Sequence, residues 1–195
     1  MLTRFPASRI AHLLAVALIL AGYAGAQKSK FDTEQQYLLL ATKKKATMQK
    51  ELDEVAALGY RVIVGSPTSG SEMAILLERV ATPPNTYKYF LLATTRTGTM
   101  QRELNEMAVQ GYRLLPRTMI SKVDITPFKG GQEIVVLMEK EPNSKKFYHY
   151  RLLATTLTST LQKEITETIK DGYTLAGMVS RGEHMVIMEK ESAGQ

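Results

Sequence analysis

From Tyr37 onward the chain runs three times through one order of apolar and polar positions. Each pass opens on a short apolar run: Tyr37-Leu-Leu-Leu-Ala-Thr42, then Tyr89-Phe-Leu-Leu-Ala-Thr94, then Tyr150-Arg-Leu-Leu-Ala-Thr155. A stretch with helical spacing follows. Met48, Leu52, Val55 and Ala56 fall at i, i+4, i+7 and i+8; Met100, Leu104, Met107 and Ala108 repeat that spacing, and Leu161, Ile165 and Ile169 lie on the same stripe. This periodicity predicts an amphipathic helix with one packed face. Ser159 and Gln162 are spaced for a capping box at the start of the third helix. Next come Gly59-Tyr60, Gly111-Tyr112 and Gly172-Tyr173. Glycine takes the left-handed backbone that ends a helix, and the following tyrosine folds back on the last turn as a structural staple. Two more apolar runs close each pass. The last of them are Met73 to Leu77, Ile134 to Met138 and Met185 to Met188, each followed by Glu and then Arg or Lys.

Strand, helix, strand, strand, three times over, predicts an α+β fold of three tandem βαββ repeats, at 35–80, 87–141 and 148–191. In each, the closing strands form a hairpin and the first strand pairs with the third, giving a three-stranded antiparallel sheet in the order 2-3-1 with one helix on one face. The closing runs do not alternate with polar residues, which fits strands covered on both faces. A helix covers one face only. The other must be covered by a neighbouring repeat, through pseudo-symmetric packing, or by a second copy in a homo-oligomer. The openings are 52 and then 61 residues apart. The extra residues fall at about 121–131, between the last two strands of the second repeat, and predict a surface insertion with a binding role for Phe128.

The first 26 residues carry Arg4 and Arg9, an apolar stretch from Ile10 to Ala21, and Ala24-Gly25-Ala26. That is the layout of a secretory signal peptide cleaved before Gln27, and the apolar stretch is shorter than the ~20 residues of a spanning helix. The expected product is exported, periplasmic or secreted. Removal of the leader leaves 23 basic against 19 acidic residues and no cysteine, so disulfides and thiolate chemistry are excluded. The basic residues are scattered apart from Lys43 to Lys45 and Lys145-Lys146. Such a mild excess calls for neither nucleic acid nor a membrane surface as partner.

Through Tyr-x-Leu-Leu-Ala-Thr, the helix ending in Gly-Tyr, and the terminal apolar-Glu-Lys strand, the chain resembles a bacterial family of short βαββ domains of unknown function. That family has Gly-Trp-Glu after the helix, where this chain has Gly59-Tyr60-Arg61, Gly111-Tyr112-Arg113 and Gly172-Tyr173-Thr174. The resemblance implies a fold and no catalytic residue.

No motif marks a reaction. Gly65-Ser-Pro-Thr-Ser-Gly-Ser71 lacks the Lys and the following helix of a phosphate loop and reads as a turn between strands. His149 and His184 have no third ligand spaced for zinc. Each helix repeats Gln49, Gln101, Gln162 and Glu51, Glu103, Glu164. Those positions read first as a solvated face, with the glutamates as candidate contacts to a basic ligand or subunit. Tyr87 with Tyr89 and Tyr148 with Tyr150 alternate along the first strands; Tyr89 and Tyr150 pack between repeats or, on an open face, serve as a ligand platform. The reading is an exported, non-enzymatic repeat protein that binds a protein or small ligand or assembles in the cell envelope. It assigns no catalytic residue, metal or cofactor. The alternative is a small-molecule binder or enzyme with a pocket between repeats.

Overall fold

The three apolar openings form strands β1 (Tyr37–Thr42), β4 (Lys88–Thr94) and β8 (Phe147–Thr155) in a computed structural model that describes residues 30–68, 71–81, 85–124 and 131–192. The leader, Phe128, and the core of the expected insertion lie outside the described residues. Each opening ends in a threonine whose hydroxyl turns the chain into a helix. Thr42, Thr94 and Thr155 Oγ1 accept from the backbone N–H two residues on, at 3.3, 3.1 and 3.1 Å. The helices are α1 (Lys45–Ala57), α2 (Thr97–Ala108) and α3 (Thr158–Lys170). The expected capping box is not formed. Leu157 stands at the N-cap with no side-chain bond, which places Ser159 already inside the first turn. The helix ends are as read: Gly59, Gly111 and Gly172 have φ of 91°, 87° and 84°.

The remaining strands are β2 (Tyr60–Pro67) and β3 (Met73–Arg79), then β5 (Arg113–Leu114), β6 (Ile120–Asp124) and β7 (Gly131–Lys140), then β9 (Thr174–Ser180) and β10 (His184–Ser192). Among the described residues the fold is α+β, with three antiparallel sheets of three or four strands and three helices. The sheet orders are β1-β3-β2, β4-β7-β5 with β6 also on β7, and β8-β10-β9. In every sheet the last strand is central, as the sequence predicted.

Two local expectations change. Residues 121–124 are strand rather than loop, because β6 pairs with β7 out to Asp124 opposite Gly131 and so lengthens the hairpin. Gly65 to Pro67 likewise belong to β2, leaving a shorter turn. Pro116 is the reason the second sheet has a fourth strand. It opens a 3-10 turn at Pro116–Thr118 that splits β5 from β6. The buried Thr118 hydroxyl repairs the ladder there, donating to Leu115 O at 2.7 Å and accepting from Leu137 N at 3.0 Å.

The sheets pack in series: α1 lies on its own β1 and on β4 of the second sheet, and α2 lies on β4 and on β8 of the third. β7 and β10 are therefore covered on both faces, and their runs Ile134 to Met138 and Met185 to Met188 are buried without a break. One core cluster joins the second and third sheets, from Met100 and Leu104 through Ile134 and Met138 to Tyr150 and Ile187. The first sheet departs from the expectation. In β3 only Met73, Ile75 and Leu77 are buried, and Ala74 and Leu76 between them are part-buried, because among the described residues α1 is the one α-helix packed on that sheet, whereas the second sheet has α1 and α2. The third helix departs too. Thr168 takes the inner position, and Ile169, expected on the packed stripe, is 54% exposed. Its counterparts Ala56 and Ala108 are buried in helices that also pack on the opening strand of the next sheet, β4 and β8, and among the described residues no further sheet lies beyond α3. No helix among the described residues is long and apolar enough to cross a membrane.

Candidate functional site

The polar residues of greatest structural consequence lie where one sheet meets the next. At the first junction the Gln49 side chain reaches from α1 to the outer edge of β4. Its Nε2 donates to Tyr89 O at 3.0 Å and its Oε1 accepts from Leu91 N at 2.8 Å. At the second, Gln101 on α2 donates to Tyr150 O at 2.7 Å and accepts from Leu152 N at 2.6 Å. Asn105, one turn on, adds bonds to Tyr150 O at 3.0 Å and from Tyr150 N at 2.8 Å. A primary amide offers one donor and one acceptor on the same plane, as a peptide unit does. Each glutamine therefore stands where a neighbouring strand would, and satisfies an edge that would otherwise be left open.

The tyrosines are buried on the facing sheet. Tyr89, 3% exposed, accepts from Val62 N at 3.0 Å and donates to Glu139 Oε2 at 2.9 Å. Tyr150, fully buried, accepts from Leu114 N at 2.7 Å and donates to Glu189 Oε2 at 3.4 Å. Burial pushes both phenols well above the usual tyrosine range, and the adjacent glutamates push the same way. They are held neutral, as donors to carboxylates. Arg61 grips Glu139 at 2.7 and 3.2 Å and reaches Glu141 at 3.0 Å, while Arg113 makes a bidentate pair with Glu189. These bonds raise both guanidinium pKa values. The arginines also stack over Tyr87 and Tyr148, at 4.4 and 5.3 Å from the ring centres.

Beside these pairs lies a recess of about 360 Å³, lined by Arg61, Arg113, Lys146, Glu139, Glu189 and Tyr148 among others. Its charges are spent on one another, with Lys146 paired to Glu191 at 3.1 Å. No lining group has the adjacent base and orienting partner that a nucleophile needs. Among the described residues no group of three or more His, Cys, Asp or Glu is placed to hold a metal.

Of the residues singled out from sequence, Tyr89 and Tyr150 are thus brought into equivalent places in two junctions. Glu51, Glu103 and Glu164 are half-buried, each on its own helix over its own sheet; Oε2 of Glu103 is buried without a hydrogen-bond partner. His149 and His184 are not adjacent. His149 meets the Tyr173 hydroxyl at 2.7 Å, while His184 pairs with Thr155, six residues further along β8 and roughly 20 Å away. Sequence reading treated the three glutamines as one solvated face and passed over Arg61 and Arg113. A signal was there: the residue after Gly-Tyr is Arg in the first two passes and Thr174 in the third. No known protein-family model, curated protein or solved structure matches the chain.

Proposed function

We propose that the chain is an exported, non-enzymatic protein of three tandem βαββ units that acts by binding a protein partner through the bare face and free edge of its first sheet. The observation that carries this is a contrast between equivalent positions. Leu39 is 66% exposed and Tyr37 52% exposed, whereas Leu91 and Tyr89, the same positions of the second sheet, are buried. An apolar face beside an unpaired strand edge is a surface that proteins cover in use, because left bare it invites nonspecific pairing. The mutual pairing of charges in the recess speaks for a structural junction over a pocket for a small ligand.

A photo-crosslinking amino acid at position 39, in cells expressing the full chain, tests this. A discrete protein adduct is expected at position 39 and none at position 50, on the exposed face of α1. Absence of any adduct at 39 above that control would refute it.

A further inference from the structure

The two internal junctions show what covers a face of this kind. At each, three groups of one unit meet the next sheet: a helix glutamine caps the strand edge, a small residue two turns on is buried, and a backbone N–H just after the Gly-Tyr turn donates to the facing tyrosine. These are Gln49, Ala56 and Val62 N at the first junction, and Gln101, Ala108 and Leu114 N at the second. The same spacing continues in the third unit to Gln162, Ile169 and Leu175. There, among the described residues, no further sheet covers the set, and Leu175 only joins the lining of the recess described above. Ile169 is 54% and Leu175 64% exposed, against 6% and 2% for Val62 and Leu114. Gln162 is exposed, with its amide turned to Thr166 of its own helix at 3.5 Å.

The complementary half stands at the other end of the chain. Gln36 O accepts from Arg79 N at 2.9 Å, and antiparallel ladders bond through alternate residues. Tyr37 and Leu39 therefore turn their backbone groups to the outer edge of β1, with which no strand pairs among the described residues, as Tyr89 and Leu91 do in β4. Tyr37 also already donates to Glu78 at 3.4 Å, the arrangement of Tyr150 with Glu189.

We propose that the partner is a second copy of this chain: the Gln162, Ile169 and Leu175 surface of one copy docks on β1 of the next, repeating the internal junction between molecules. This rests on the binding reading above. The interface is head-to-tail, so it generates rings or filaments. One element of the internal junctions is absent, since Thr174 stands where Arg61 and Arg113 hold the facing glutamate. The contact between copies is therefore weaker than those within a copy, and reversible.

Sedimentation velocity on the purified full chain, from low to several hundred micromolar, tests the proposal with three substitutions at exposed positions. The unaltered protein is expected to grow in size with concentration. Leu39→Asp and Gln162→Leu should each stay monomeric, because one destroys the head and the other the tail. Mixed together they retain one good head and one good tail, and should form a one-to-one dimer and nothing larger. Thr174→Arg, placing a guanidinium opposite Glu78, should tighten association by about tenfold or more. A monomer throughout, with Thr174→Arg also monomeric, would overturn self-assembly. Association abolished by Leu39→Asp but unaffected by Gln162→Leu would overturn it as well, in favour of two β1 edges pairing with each other. A crosslink from position 39 to a different protein, with the chain itself monomeric, would leave the binding reading standing and remove this one.

Discussion

Replacing each helix glutamine by leucine in turn separates edge-capping from a merely solvated helix face. Leucine and glutamine have nearly equal helix propensity, so the substitution acts on the amide alone. Gln101→Leu removes two bonds of 2.7 and 2.6 Å. Tyr150 O keeps its bond from Asn105, but Leu152 N–H, part-buried under α2, loses its partner. Leaving such a group unsatisfied costs about 1–3 kcal/mol and losing the second bond about 0.5–1.5, so the sum is about 1.5–4.5 kcal/mol. For a domain of this size that is a fall in Tm of about 3–18 °C. Gln49→Leu should cost a similar amount, or slightly more, since no carbonyl-sharing asparagine stands at position 53. Gln162→Leu should leave stability within about 0.5 kcal/mol, as for other exposed sites. The assay is urea unfolding at low micromolar concentration, followed by far-UV circular dichroism, with the slope against denaturant checked for constancy. Equal destabilisation by all three, or no effect at Gln101, would refute the assignment of these amides to strand edges.

Other expectations follow from the same junctions. Arg61→Met should destabilise by about 2–3 kcal/mol, below the 3–5 of a fully buried pair because the guanidinium is partly in water; it leaves Glu139, 3% exposed, with the Tyr89 hydroxyl as its remaining side-chain partner, and chemical denaturation reads the loss. Tyr89 and Tyr150 ionise less readily folded than unfolded, so their contribution is whole below about pH 10 and is lost as pH rises above it, at about 1.4 kcal/mol per pH unit for each. Tyr150→Phe should flatten that alkaline slope in pH-dependent unfolding, and an unchanged slope would count against a neutral buried phenol. Gly59→Ala should be far more damaging than Gly172→Ala. Both pay for a left-handed backbone, but a Cβ at 59 would sit 1.9 Å from Ala81 O, whereas at 172 it meets only the flexible end of Lys190 at 3.4 Å; thermal unfolding of the two variants decides.

The chain's local order was open to reading from sequence because it depends on neighbours a few residues apart. Apolar runs, the helical stripes from Met48 and Met100, and the glycines after each helix specify strand, helix and stop by period and backbone sterics alone, whatever they later touch. Even the central place of β3, β7 and β10 follows from the chain having to return through a helix and then a tight hairpin. What one copy of the pattern looks like does not depend on which copy it is. What covers it does, and only the tertiary structure decided that. Gln49, Gln101 and Gln162 stand at equivalent positions of the pattern, each after an apolar residue and before a basic residue and a glutamate, yet two of them cap strand edges contributed by the next unit and the third faces solvent. The same holds for Leu39 against Leu91, where burial is set by a helix of the preceding unit, and for Ala108 against Ile169, where it is set by the sheet of the following one. Arg61 and Glu139 are 78 residues apart, and no periodicity within a unit records that they will meet. Sequence thus determined the parts and their internal wiring through short-range geometry. The order of stacking, the pairing of charges across junctions, and the two uncovered ends arise from long-range packing, which a single repeat cannot encode.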